Sequence, residues 1–382
     1  MKCDRTPLDY ARMAAEAIMY KFAPEELPPK GVLFYHQGVF LSGVQSLYTL
    51  SGEEKYFNYV KDYVDSVIGE NGELQGIDYE ADDENLAPLG KKALQMLDHK
   101  QATLLFYQLF DRTGDEKYSN AIKKAAESLY YWPVNLYGGY WHKLTEPNQM
   151  WMDGAYMCGP LSLKYAKRFG ATLLRERAVK QIFIMNEHLK DEKTGLYFHG
   201  WDPTKLAPWA DKELGLSPEI WGRAVGWYSV AILDVIELLP EGHPATEALA
   251  EIELDLLRSL QNYRRDGLWC EVLDKPTKDG NWVESSCSNL FIYSYAKAIR
   301  MGIAKKEEFE DILESAYEAS IGLLYTDGGG HLVIDKVCEG TNIGEGSYEY
   351  YIGRKQIKND LHGAGAFLLM ACEMQKYRDY CK

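Results

Sequence analysis

Helical blocks of two kinds alternate along the chain: mostly apolar ones carrying small residues, and charged amphipathic ones. Two stretches mark the joints between them, "SGEEKYFNYV" from Ser51 and "TGDEKYSNAI" from Thr113. Each sets a Ser or Thr cap and a Gly ahead of charged residues and a Tyr-led amphipathic run, which predicts a tight turn and a helix start. Weaker copies are "FGATLLRERAV" at Phe169, "LPEGHPATEAL" at Leu239 and "RMGIAKKEEF" at Arg300. Successive joints fall about 55–70 residues apart, room for a helical hairpin and a loop.

A second series alternates with the first: "YGGYWHK" at Tyr137, "TGLYFHGWD" at Thr194, "DGLWCEVLD" at Asp266 and "DGGGHLVID" at Asp327, with "NGELQGIDYE" at Asn71 as an earlier copy. Each is a Gly turn leading into extended aromatic or apolar residues. Since one hairpin cannot bury its own apolar face, repeats of this length stack. Six apolar helices begin near "YHQGVFLSGV", "LDHKQATLLF", "MDGAYMCGPL", "GRAVGWYSVA", "ESSCSNLFIY" and "LHGAGAFLLM". Six such inner helices and six outer ones predict an all-α (α/α)6 barrel, a single catalytic domain over residues 1–382, with the long loops at one mouth. Gly38, Gly43, Gly154, Gly159, Gly226, Gly363 and Gly365 would let the inner helices approach closely.

Composition narrows the partners. The net charge of -15 argues against nucleic acid and against anionic membrane surfaces, and no run of about 18 apolar residues predicts a membrane span. The seven cysteines are odd in number and form no C-x-x-C, which fits a reducing compartment, read as the cytoplasm. The N-terminal stretch is too charged for a signal peptide. No H-x-x-x-H or paired Cys motif occurs, so neither a metal nor another cofactor is expected. The assembly is expected to be a monomer or homodimer.

If the inner helices share one mouth, their starts form a ring of polar residues: Asp98 in "LDHK", Asp153 in "WMDG", Arg223 in "WGRAVGW", Ser285 and Ser286, and Asp360 with His362 in "NDLHG". His199 in "YFHGWD" lies on the loop before the fourth inner helix. Acids, a cation and aromatics around a concave mouth suit a carbohydrate enzyme. Each residue also has a plain reading. Asp98 and Asp153 could be helix caps, Arg223 an ion-pair partner, His199 a bonded loop residue, and Trp151, Trp221 and Trp227 core. Asp82 and Asp83, in "YEADDEN", read as a solvated loop.

The motifs "WMDGAYM", "YFHGWD" and "WGRAVGW", in this order, resemble the unsaturated rhamnogalacturonyl hydrolases of glycoside hydrolase family 105, kin of the unsaturated glucuronyl hydrolases. "YHQGVFLSGV", "LDHK", "ESSCSNLFIYSYAKAIRMGI" and "NDLHGAGAFLLMACEM" extend the resemblance over nearly the whole chain. The resemblance implies the (α/α)6 barrel and removal of a 4,5-unsaturated uronic acid from the non-reducing end of lyase-generated oligosaccharides. It implies Asp153 as the catalytic acid/base and Asp98 as its assisting carboxylate. Tyr35, His36, Trp151, His199, Trp221, Arg223, Trp227 and Asp360 fall at substrate-binding positions, and Val225 departs from the Asn common there.

The chemistry explains an acid set in the apolar run "NQMWMDGAYMCGP". Hydrating a vinyl ether needs a carboxyl that gives a proton to C4 and takes one from the water adding at C5. An apolar setting next to a second acid favours the loaded, neutral form. Arg223 and His199 are the candidates for meeting the substrate carboxylate. Two other readings stay open: a glycosidase on saturated sugars using Asp98 and Asp153, and a non-catalytic carbohydrate-binding toroid.

Overall fold

The computed structural model describes residues 5–74 and 96–382. In chain order its helices are α1 (Pro7–Lys21), α2 (Tyr35–Ser51), α3 (Glu54–Val67), α4 (Asp98–Gln101), α5 (Leu105–Thr113), α6 (Glu116–Glu127) and α7 (Gly154–Phe169). They continue as α8 (Thr172–Leu189), α9 (Gly222–Leu238), α10 (Thr246–Leu260), α11 (Ser285–Arg300), α12 (Lys306–Gly322), α13 (Tyr348–Ile352) and α14 (Leu361–Tyr380). The inner ring runs α2, α4 with α5, α7, α9, α11 and α14, each packed on the next, and α14 packs back on α2. This is the (α/α)6 barrel that the repeat implies.

Close approach at the seam between α2 and α14 explains two of the small residues. A Cβ added at Gly365 would lie 2.5 Å from the Phe40 nitrogen, and one at Gly43 would lie 2.5 Å from Leu368 Cβ. No side chain fits at either position.

Three expectations need correction. Ser51 and Thr113 do not cap the outer helices; they end the inner ones, and Gly52 and Gly114 follow in the left-handed conformation at φ 68° and 69°. The cap of α6 is Asp115, whose carboxylate accepts from the Lys117 N–H. The stretch "LDHKQATLLFYQLF" is not one helix. It breaks at a 3₁₀ turn, Ala102–Leu104, where a Cβ at Gly38 of α2 would come within 2.7 Å of Ala102 Cα. Finally, the outer helices are not all returns from inner ones: the sixth is α1, which packs on α14. The loop copy starting at Asn71 is described only to Leu74, which bridges to Ile68; Cys3, Asp82 and Asp83 lie outside the described residues.

The loops that carry the second series pair, one after another, with the segments entering the inner helices. Leu97 N–H donates to the His142 carbonyl, Met152 N–H to that of His199, and Gly222 N–H to that of Glu271, each at 2.9 Å. The middle pairing extends into a small antiparallel ladder, β1 (Met150–Trp151) on β2 (Gly200–Trp201). In each case the residue after the bonded N–H stands at the start of an inner helix: Asp98, Asp153 and Arg223. The register therefore brings Asp98 to His142 and Asp153 to His199, and sets Glu271 among the charges near Arg223.

Candidate active site

A pocket at the mouth is lined by Asp98 and Asp153, by Phe34, Tyr35 and His36 at the start of α2, by Met96, His142 and Trp151, and by the loop residues Gly340, Thr341 and Asn342. Both acids are nearly buried, at 5% and 8% exposure, so what partners they have decides their chemistry. Asp153 sits at the N-cap position of α7, yet its side chain makes no capping bond. Its Oδ2 lies 3.1 Å from Nε2 of the fully buried His199. The plain reading of Asp153 as a helix cap therefore falls. The other ring nitrogen of His199, Nδ1, is 2.7 Å from the Tyr351 hydroxyl. Burial pulls the His199 pKa below its ordinary value, against the opposing pull of Asp153. A neutral imidazole has one N–H, so the chain Tyr351–His199–Asp153 has two settings. Either Tyr351 donates to Nδ1 and Nε2–H donates to the carboxylate, or Asp153 carries the proton and donates to Nε2.

Asp98 has a different environment. Nε2 of His142 approaches its Oδ2 to 2.8 Å, close in distance though off the hydrogen-bonding direction. Burial would raise the Asp98 carboxyl, but His142 and then Lys143 outweigh it and hold the group below its ordinary value. Lys143 is itself nearly buried; its ammonium donates to Asn342 Oδ1 at 2.8 Å and lies 4.0 Å from the centre of the Trp151 ring. His142 stacks on that same ring, with centroids 4.5 Å apart. Trp151 is thus a pocket wall braced by two polar groups.

His142 and Lys143 were not among the sequence candidates. Their signal was present: "YWH" in "YGGYWHK" occupies the same place in its loop copy as "YFH" in "TGLYFHGWD". Aligning those copies position by position would have found His142 through His199.

Five expected substrate contacts do not line the pocket: His199, Trp221, Arg223, Trp227 and Asp360. Trp227 is fully buried and stacks on Tyr156 at 4.6 Å, so it belongs to the core between α7 and α9. Trp221 is also buried, and its indole N–H donates to Glu271 Oε1 at 2.9 Å. Arg223, 1% exposed, lies 4.5 Å from the Trp221 ring centre and donates to the main-chain carbonyls of Cys338 and Glu339 at 2.6 and 2.7 Å. The guanidinium is occupied in holding the loop that carries Gly340, Thr341 and Asn342. Val225 is fully buried and likewise stays out of the pocket. Glu271, opposite Arg223, is raised to about 8 by its burial and by nearby Glu284.

Asp360, at the N-cap of α14, lies 2.7 Å from His362 Nδ1 and 4.0 Å from His36 Nδ1. Burial, with His362 alongside, pulls His36 down to about 3, so it is a neutral ring at physiological pH. The absence of a local histidine motif had counted against a metal, but the fold gathers these three residues from two helix starts far apart in sequence.

A profile of the family described as Glycosyl Hydrolase Family 88 matches residues 10–378. The chain belongs to glycosyl hydrolase family 88. This family 88 glycosidase is 30% identical to a solved family 105 glycoside hydrolase from C. acetobutylicum, at a TM-score of 0.87 over 96% of this chain and 99% of that one. The unsaturated rhamnogalacturonyl hydrolase YesR of Bacillus subtilis is 26% identical over 255 residues, 65% of this chain and 64% of that protein. The unsaturated glucuronyl hydrolase of a Bacillus species shares the fold, with a TM-score of 0.69 and 16% identity over 96% of this chain and 95% of that one. Among the described residues, no helix of the family 88 hydrolase is long and apolar enough to cross a membrane.

Proposed function

We propose that the protein removes a 4,5-unsaturated uronic acid from the non-reducing end of lyase-generated, rhamnogalacturonan-type oligosaccharides, acting as one catalytic unit in the cytoplasm. The observation that carries this reading is the pair of pocket acids with unlike partners. Asp98 is held ionised by His142 and Lys143, while Asp153 faces a single neutral histidine that accepts or returns a proton. Two carboxyl groups with unlike partners suit an acid and a charge-stabiliser in one site.

In the proposed reaction Asp153 gives its proton to C4 of the unsaturated ring. Positive character grows at C5 and the ring oxygen, where the Asp98 carboxylate stabilises it. Water then adds at C5, losing a proton to Asp153, and the hemiketal opens to expel the remaining sugar. His199, backed by Tyr351, orients Asp153 and supplies a second place for the proton. Trp151 offers the ring a flat wall. With Arg223 taken up by carbonyl groups, Lys143, which pairs with Glu146 and reaches the pocket residue Asn342, is the candidate cation for the substrate's carboxylate. The similarity to YesR supports the choice of a rhamnogalacturonyl substrate. The free thiols of the six described cysteines support the compartment.

Hydration destroys the conjugated double bond, so the test is optical. Incubation with an unsaturated galacturonyl–rhamnose disaccharide should erase its ultraviolet absorption and release rhamnose, while the saturated disaccharide stays intact. Cleavage of the saturated sugar, or no loss of absorption, would overturn the proposal.

A further inference from the structure

His362 offers the clue. Its Nε2 lies 2.8 Å from the Cys338 carbonyl oxygen, which can only accept, so Nε2 carries a hydrogen and donates it. With Nε2–H committed to that carbonyl, Nδ1 is the ring position left for another partner. This Nδ1 is fully buried and has no partner along a hydrogen-bonding direction, although Asp360 Oδ1 is only 2.7 Å away. An oxygen and a ring nitrogen so close need a proton or a cation between or beside them. The Nδ1 of His36 approaches the same oxygen to 4.0 Å, and one donor atom from each of the three residues falls within 4.8 Å of the others.

We propose that His36, Asp360 and His362 form a binding site for one divalent transition-metal ion, zinc being the simplest occupant, opening toward the sugar pocket. Two imidazoles and one carboxylate are an established donor set for such ions. Ligand atoms about 2.1 Å from a tetrahedral ion stand about 3.4 Å apart; the two Asp360 separations, 2.7 and 4.0 Å, bracket that value, and the cluster as a whole, within 4.8 Å, would contract on binding. The bond from His362 Nε2–H to a main-chain carbonyl is the usual outer support of a metal-bound histidine, fixing both ring orientation and tautomer. Asp360 is anchored from behind as the cap of α14. His36 lines the pocket, so a water or a sugar oxygen could complete the shell from that side. Arg223 acts on His36 as an opposing charge, and Asp98 offsets it.

The test reads binding rather than turnover, so it stands or falls apart from the hydrolase assignment. Metal-free protein is titrated with cobalt(II), followed by visible absorption, and with zinc, followed by calorimetry. The expected result is one equivalent bound with ligand-field bands and no thiolate charge-transfer band. His36→Gln, a part-exposed change, and His362→Gln should each weaken binding by at least roughly ten- to a hundredfold. Cys381→Ser and His188→Gln should leave it unchanged. Failure of the wild type to take up one equivalent would overturn the proposal. So would uptake unaffected by both ligand changes, or uptake lost with Cys381→Ser.

Discussion

Asp98 with His142, Asp153 with His199, and Arg223 with Glu271 occupy equivalent backbone positions, yet the first two pairs and the third do opposite work. In the first two, an acid at the start of an inner helix faces the pocket and a histidine supports it. In the third the charges are reversed. The cation is buried under Cys338 and Glu339, whose carbonyl groups it binds, and the loop beyond them forms a wall of the pocket. One register thus serves the proposed chemistry in two sectors and clamping in the third. A polar residue at the mouth is not automatically a substrate contact; where its hydrogen bonds go decides.

The difference can be broken most sharply at Asp153. Asp153→Asn should cut turnover by about a hundredfold to ten-thousandfold, with the circular dichroism spectrum unchanged, because it removes an acid and nothing structural. The clamping sector should respond the other way. Arg223→Met strands two carbonyl groups and leaves Glu271 and Glu284 without their nearby cation, so it should lower the unfolding free energy by about 3–5 kcal/mol. Arg223→Lys should recover only part of this, since an ammonium lacks the planar fork. A kinetic defect without destabilisation would return Arg223 to the substrate.

Glu271 supplies a pH signature for the same sector. Its folded value of about 8 lies above the ordinary value of 4.5, so the folded state holds an extra proton between them. Its contribution is complete below about pH 4.5 and fades as pH rises through about 8. Denaturant titrations should show Glu271→Gln removing this decline, by an amount on the order of a few kcal/mol. A variant as pH-sensitive as the wild type would mean the carboxyl is not the source. In the proposed catalytic sector, His142→Gln removes the imidazole 2.8 Å from Asp98 and should cost roughly tenfold in kcat/KM. It should also shift the acid limb of the pH–rate profile upward as Asp98 loses its support. The smallest effect belongs to Trp227→Phe. It should cost about 1 kcal/mol of stability and leave KM unaltered, as befits a core ring.

Much of this was legible because the repeat is legible. The joints at Ser51 and Thr113 announced hairpins, and Asp153 stood out because an acid in an apolar run demands a reason. What stayed hidden depended on the direction of side chains. Nothing in "WGRAVGW" says that the Arg223 fork turns toward Cys338 and Glu339, more than a hundred residues onward. Similarly, His36 and His362 meet only because α14 returns beside α2. His142 is the exception: its evidence lay in the sequence, in the phase of the loop copies.

The ring's seam has a consequence for how the molecule is made. Because α14 fills the gap between α2 and α11 and packs on α1, helices made far apart in time share one interface. Helices α1 and α2 emerge without their neighbour and must wait, apolar flank bare, until α14 has been made. Chaperone demand during synthesis should therefore centre on that amino-terminal flank rather than on the sugar-binding mouth.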